Sequence, residues 1–164
     1  MVVNDTFLNT QFNWQGTLVE RRSVMTENVN TADRDGHTPL IIAAREGKDE
    51  AVRDLLHRGA DLEARSNKGK TALHYAAANG HAEVIKILLQ QGADVDARDR
   101  DGHTPLMLAA NYGCNECVAN LLDFNADIQA KTMSGNNALV YAETNCHPDT
   151  LELLRKAQRT KQAV

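Results

Sequence analysis

Aromatic side chains are scarce in this chain. Three Tyr, three Phe and one Trp make up 4% of its residues. A core without large rings must close over Ala, Leu and Val, which suits helices packed at short distances. Cysteines are also few: three do not make a disulfide scaffold, so a reducing cytoplasm is the default compartment. Positive charge does not dominate. A net charge of −4 and a pI near 5.8 argue against a broad basic surface for nucleic acid. No apolar run approaches the roughly 18 residues that a membrane span needs. The first residues, MVVNDTFLNTQFNWQG, have neither a basic start nor an apolar block, so no secretory signal is read. A chain whose signal had been removed would look the same, which keeps a periplasmic or secreted location open.

What is present is repetition. The hydrophobic fraction of 42% rules out disorder as the default, and 164 residues form one domain or one continuous array. Gly36, Gly69, Gly102 and Gly135 fall 33 apart, as do Leu40, Leu73, Leu106 and Leu139, and Ala43, Ala76, Ala109 and Ala142. A fixed period of this size means stacked units rather than one globular core.

Each unit reads the same way. In repeat one, 33–65, Asp35-Gly36 marks a tight turn and Thr38-Pro39 a helix start, with threonine as cap and proline at the first helical position. Leu40, Ala43 and Ala44 give a first helix one apolar face. Gly47 closes that helix, and a second carries Val52, Leu55 and Leu56 as far as Gly59. Repeat two, 66–98, and repeat three, 99–131, follow the pattern, with Asn125 taking the left-handed turn of Gly59 and Gly92. Alanine pairs stand where helix axes must approach to about 8–10 Å. Repeat four, 132–157, keeps only its inward side apolar, through Leu139, Ala142, Leu151 and Leu154, and reads as a C-terminal cap. Residues 158–164 read as a solvated tail. Residues 1–32 read as a degenerate N-terminal capping repeat or a leader, with two short amphipathic helices carried by Phe7, Leu8, Phe12, Leu18 and Val19.

DGHTPLIIAAREGKDEAVRDLLHRGADLEA and its successors resemble ankyrin repeats, whose pattern is T-P-L-H-x-A. The resemblance is strong over 33–157 and weak over 1–32. It departs from the pattern at Ile41 and Met107, where the family often has histidine, and in repeat four, which lacks the Thr-Pro entry. It implies an all-α solenoid of stacked helix-turn-helix units with β-turn or hairpin finger loops. It also implies work by binding proteins rather than by catalysis, with no cofactor and no metal.

By the family pattern, contacts fall on the fingers and the last turn of each first helix. The candidate residues are Arg34, Asp35, His37, Arg45, Lys68, Lys70, Arg100, Asp101, His103, Asn111, Tyr112 and Met133. This face, with Glu46, carries five basic against three acidic residues, a net +2 on a chain of net −4. The expected partner is therefore a protein with a mildly acidic contact surface. Tyr112 is the anchor candidate, since central exposed aromatics often dominate binding energy; the alternative is that it packs over Tyr75 or the next finger.

Chemistry is thinly represented. Cys114-Asn115-Glu116-Cys117 is a C-x-x-C at the start of a helix, but the βαβ setting of a redox fold is absent. Cys117 aligns with Ala51 and Val84 and reads as a small core residue. No second ligand pair suits zinc. A Cys114–Cys146 bridge would staple the last repeat to its neighbour, although stacked backbones about 9–10 Å apart exceed the roughly 7 Å reach of a disulfide. The histidines assemble no site: His74 is expected to tie neighbouring loops, and His57, His81 and His147 lie at helix ends.

The reading is a monomeric, non-enzymatic adaptor or inhibitor, cytoplasmic, binding a folded protein through its fingers and concave helix face. One alternative is an extracytoplasmic protective or immunity-type protein that masks a cognate enzyme. A second is a self-assembling structural repeat protein.

Overall fold

The computed structural model describes residues 10–12, 18–20 and 28–162. Among the described residues eight helices follow in four pairs: α1 (Pro39–Arg45) and α2 (Asp49–His57), α3 (Ala72–Asn79) and α4 (Ala82–Gln90), α5 (Pro105–Asn111) and α6 (Asn115–Asp123), α7 (Ala138–Thr144) and α8 (Pro148–Gln162). The first helices pack in one row, α1 on α3 on α5 on α7. The second helices pack in a parallel row, α2 on α4 on α6 on α8. Over 33–162 the architecture is the all-α solenoid with finger loops that the resemblance implies.

Local chemistry starts and stops these helices where it should. Thr38 and Thr104 accept the N–H of Ile41 and Met107, and Asn137 does the same for Val140 at 3.1 Å. Repeat four therefore keeps its helix cap with a different residue. Asn125 stands at φ 63° and Cys146 at φ 58°, the two described non-glycine residues in the left-handed region. Leu40, Leu73, Leu106 and all three alanine pairs are buried to 1% exposure or less. An alanine truncation of Leu88 or Leu121, both wholly buried, would cost about 2–5 kcal/mol.

Each finger stacks on the next through backbone bonds. Asn67 N–H donates to Asp35 O at 2.9 Å, Arg100 N–H to Lys68 O at 3.2 Å, and Met133 N–H to Asp101 O at 3.0 Å. A Cβ on Gly36 would lie 2.8 Å from Asn67 N, so the spacing between fingers requires glycine there as well as its positive φ. At the opposite edge Asn30, Glu63 and Asp96 accept the N–H groups of Asp61, Asp94 and Asp127 at 2.7, 2.9 and 2.8 Å. Residues 28–32 thus already stand in the register of the array.

Two expectations are corrected. Around Phe12 and Leu18-Val19 the chain forms strands β1 (Thr10–Phe12) and β2 (Leu18–Glu20), paired antiparallel, rather than short helices. Apolar stretches of so few residues do not distinguish helix from strand by periodicity. Phe7, Leu8 and most of the expected N-terminal cap lie outside the described residues. The second correction is at the other end: residues 158–162 continue α8 instead of leaving it. Gln158 occupies the place of Gly59, Gly92 and Asn125, so nothing there stops a helix. Lys161 Nζ then donates to Ala126 O at 3.0 Å.

Candidate functional site

The fingers and first helices place the candidate residues along one face, but in two groups. Asp35, His37, Arg45 and Lys68 meet Asn67 and Tyr75 around a cleft of about 290 Å³ at the seam of repeats one and two. Tyr112 and Met133 lie farther along the array, 61% and 83% exposed. Tyr112 caps the end of α5, and its ring is not covered in the way the packed alternative required.

The cations of this face are not equivalent. Lys70 Nζ lies 3.9 Å from Asp99 Oδ2, whose side chain is 1% exposed. Glu46 pairs with Lys48 at 2.7 Å. Arg34, Arg45, Lys68 and Arg100 are exposed and form no ion pair with a described residue. Two of those four, Arg45 and Lys68, line the cleft. Its carboxylate, Asp35, makes no described ion pair either.

His37 and His103 do not face outward freely. His37 Nδ1 lies 3.3 Å from Asp33 Oδ2, and Nε2 lies 3.0 Å from the Tyr75 hydroxyl, which donates to Ser66 Oγ at 3.2 Å. His103 repeats this with Asp99 Oδ1 at 3.2 Å and the Tyr141 hydroxyl at 3.0 Å. Each imidazole fastens a finger to the next repeat. The His37 backbone N–H holds the Asp33 carboxyl below its ordinary range. Asp33, Asp35 and His37, and likewise Asp99, Asp101 and His103, bring ligand-type atoms within 4.8 Å of one another. In each trio the first aspartate is already occupied with turn N–H groups.

His74 behaves as its family position implies. Thr71 N–H donates to its Nδ1 at 3.2 Å, and its Nε2 bonds to His103 O at 3.0 Å. Burial lowers its pKa to about 4, against the opposing pull of the His103 carbonyl.

Two features escaped the sequence reading. His81 and His147 sit at the starts of α4 and α8 and reach back one repeat. Their Nε2 atoms bond to Arg45 O and Asn111 O at 3.0 Å, the final carbonyls of α1 and α5. Each ring lies where a Cβ on Gly47 or Gly113 would stand, 2.5 Å from its Nδ1. The signal available was a histidine just before the second helix in alternate repeats, Gly80-His81 and Cys146-His147, one unit after Gly47-Lys48 and Gly113-Cys114. The other feature is sulfur: Cys114 is bonded to Cys117, with Cα atoms 5.3 Å apart, and Cys146 is free and exposed. The Cys114–Cys146 bridge is therefore corrected. Three residues along a helix start bring two sulfurs together more readily than stacking brings adjacent repeats. Cys117 is wholly buried, as its alignment with Val84 suggests.

A family model described as ankyrin repeats in three copies matches residues 17–99 and again 95–163. No curated protein matches the chain. Ankyrin repeats are generally protein–protein interaction modules and typically non-enzymatic. No described helix is long and apolar enough to cross a membrane.

Proposed function

We propose that this chain, which belongs to the ankyrin-repeat family, is an adaptor or inhibitor that holds the acidic surface of a folded protein against its fingers and first helices. The observation that carries the reading is the cleft at the first seam. Arg45 and Lys68 line it without forming an ion pair to a described residue, two cations against the one carboxylate of Asp35, beside the Asn67 amide and the Tyr75 ring. Unpaired cations beside the Asn67 amide favour a carboxylate, through charge-assisted bonds stronger than neutral ones. Tyr112 and Met133, both exposed, supply apolar area farther along the same face. Occlusion of the bound surface is the simplest action for such an array.

The test is affinity capture from native extract with the wild type beside an Arg45→Glu/Lys68→Glu variant. A protein retained by the wild type and lost by the variant, at unchanged melting temperature, supports the reading. Equal retention moves the contact to another face. Recovery of the chain alone, with a mass that grows with concentration in light scattering, replaces a monomeric binder by a self-assembling one.

A second reading draws on the Cys114–Cys117 bond. Disulfides persist in oxidising compartments, which favours an extracytoplasmic protective protein masking an enzyme there over a cytoplasmic adaptor. Free-thiol counting on protein taken directly from each cellular fraction distinguishes the two.

A further inference from the structure

Four residues occupy the place before the second helix of each repeat: Lys48, His81, Cys114 and His147. The two histidines cover a glycine and lock onto the preceding repeat, as described above. Cys114 also faces a glycine, its Sγ lying 3.9 Å from where a Cβ on Gly80 would stand. A cysteine is too short to make the longer bond to the previous repeat. At this seam the array gives up a lock and places a sulfur there.

The sulfur sits in a particular arrangement. Cys114 caps the nine-residue α6, and its Sγ accepts the Cys117 N–H at 3.2 Å. It is half-buried, while its partner Cys117 has no exposed surface and lies among the apolar residues of the core. One cysteine of the pair is thus partly exposed and the other wholly buried, which directs an attacking thiolate to the first. A thiolate leaving on Cys114 would keep the Cys117 N–H as its hydrogen-bond donor, at a helix end that favours negative charge. Glu116 in the same first turn opposes this. The aligned Ala51 and Val84 show that the fold asks only for a small apolar side chain at Cys117.

We propose that Cys114 and Cys117 form a thiol–disulfide exchange site, with Cys114 as the exchanging sulfur and Cys117 as the resolving one. The substrate class is a monothiol and its disulfide, whether a small molecule or a cysteine on a bound protein. A thiolate RS⁻ attacks Cys114 Sγ, the Cys114–Cys117 bond breaks, and Cys117 departs as a thiolate that ends as a thiol with the proton the attacking thiol lost on ionising. A second thiolate attacks the R–S sulfur of the mixed disulfide, releasing RSSR and the Cys114 thiolate. The protein gains two electrons and the two thiols lose them. The reverse sequence oxidises the dithiol at the expense of RSSR. The inference is independent of the acidic-partner reading, because neither sulfur lines the cleft of the first seam.

The test uses the whole chain with Cys146→Ser, so that two thiols remain. The protein is equilibrated in buffers from fully reduced to fully oxidised glutathione, quenched with acid, alkylated and weighed intact. Expected are two alkylated thiols at the reduced end, none at the oxidised end, one reversible transition between, and a folded circular-dichroism spectrum throughout. Adding Cys117→Ala, which places the side chain of repeat one at that position, should give one glutathione per chain, mapped to Cys114. Three results overturn the proposal. They are two free thiols at every ratio, a bond that no glutathione ratio reduces while the chain stays folded, and glutathione found on Cys117 in the two-thiol chain. The small-molecule and protein sources separate in a trapping experiment. In native extract, a Cys117→Ala chain that carries a protein on Cys114 points to a partner cysteine, and one that carries only low-mass thiol points to the small molecule.

Discussion

The seam between repeats one and two and the seam between repeats three and four share one wall. Asp35, His37 and Tyr75 recur 66 residues later as Asp101, His103 and Tyr141. The ring centroids lie 5.3 Å apart in the first seam and 5.7 Å in the second, edge-on at 83° in the one and tilted at 47° in the other. Three other cleft positions differ: Arg45, Asn67 and Lys68 become Asn111, Met133 and Ser134. Both cations are lost, and a methionine replaces an amide. The vacated place is also filled from within, because Asn145 Nδ2 donates to Asn111 Oδ1 at 3.0 Å. Asn79, its counterpart in repeat two, bonds among the described residues only to Tyr75 O. The scaffold is thus held constant by the His–Tyr clasp, while three side chains change an open cleft with two cations beside Asp35 into a self-paired one whose remaining charge is the Asp101 carboxylate. Binding character here is carried by positions that contribute little to the fold.

Exchanging those three positions is the strongest way to break the comparison. Arg45→Asn/Asn67→Met/Lys68→Ser should weaken capture of an acidic partner by more than about a hundredfold, since each of the two charged hydrogen bonds is worth about 1.5–3 kcal/mol. The melting temperature should hardly move. The reciprocal Asn111→Arg/Met133→Asn/Ser134→Lys, added to that variant, should restore part of the affinity at the second seam. Titration calorimetry of the captured partner reads both. Loss without any rescue would show that the two walls are less alike than their coordinates.

Between the two seams the clasp is different, and so is its response to pH. At the middle seam His74, buried and neutral, joins Thr71 to the His103 carbonyl. Its pKa falls from 6.5 to about 4 on folding, so the unfolded chain binds a proton that the folded chain refuses. That contribution to stability is whole above pH 6.5, declines as pH falls towards 4, and changes no further below. Its upper limit is about 3 kcal/mol, from 1.36 kcal/mol per pKa unit. Urea midpoints should fall between pH 7 and pH 4.5 in the wild type and fall less in His74→Gln, when carboxylate effects common to both are subtracted. Parallel curves would remove His74 as the cause.

The repeat, its helices and its caps were legible because each depends on local chemistry that recurs every 33 residues. The left-handed turn at Asn125 could be read for the same reason. The locks made by His81 and His147 were not, because they follow a 66-residue alternation, and a 33-residue frame averages it away. The same alternation hides the clasps, since His37 needs a tyrosine from the next repeat. Of the candidate contacts, charge and exposure at Arg45 and Lys68 could be inferred. The prior engagement of Lys70, His37 and His103 could not, because it depends on which side chain reaches across a seam. The sulfur pairing was misjudged by comparing backbones across repeats and overlooking the turn within one.

A smaller effect tests the clasp itself. Tyr75 bonds to both His37 and Ser66, whereas the only described bond of the Tyr141 hydroxyl is to His103. Removing either hydroxyl leaves an imidazole nitrogen without its partner, so Tyr75→Phe and Tyr141→Phe should each cost about 1 kcal/mol, the first more than the second. Chemical denaturation resolves such a difference. Equal costs would mean that Ser66 finds water as readily as it finds the phenol.

The smallest expected difference isolates what closes the second seam. Asn145→Ala removes two bonds, to Asn111 Oδ1 and to Tyr141 O, whereas Asn79→Ala removes one. Both side chains are exposed, so water replaces much of what is lost. The excess cost of Asn145→Ala should therefore be about 0.5 kcal/mol. If the extra bond is the reason, Arg45→Asn should supply the missing amide opposite Asn79 and raise the cost of Asn79→Ala to match. A double-mutant cycle at positions 45 and 79 measures that coupling directly. Coupling near zero would place the closure of the second seam on the loss of charge alone, with the Asn111–Asn145 bond its consequence.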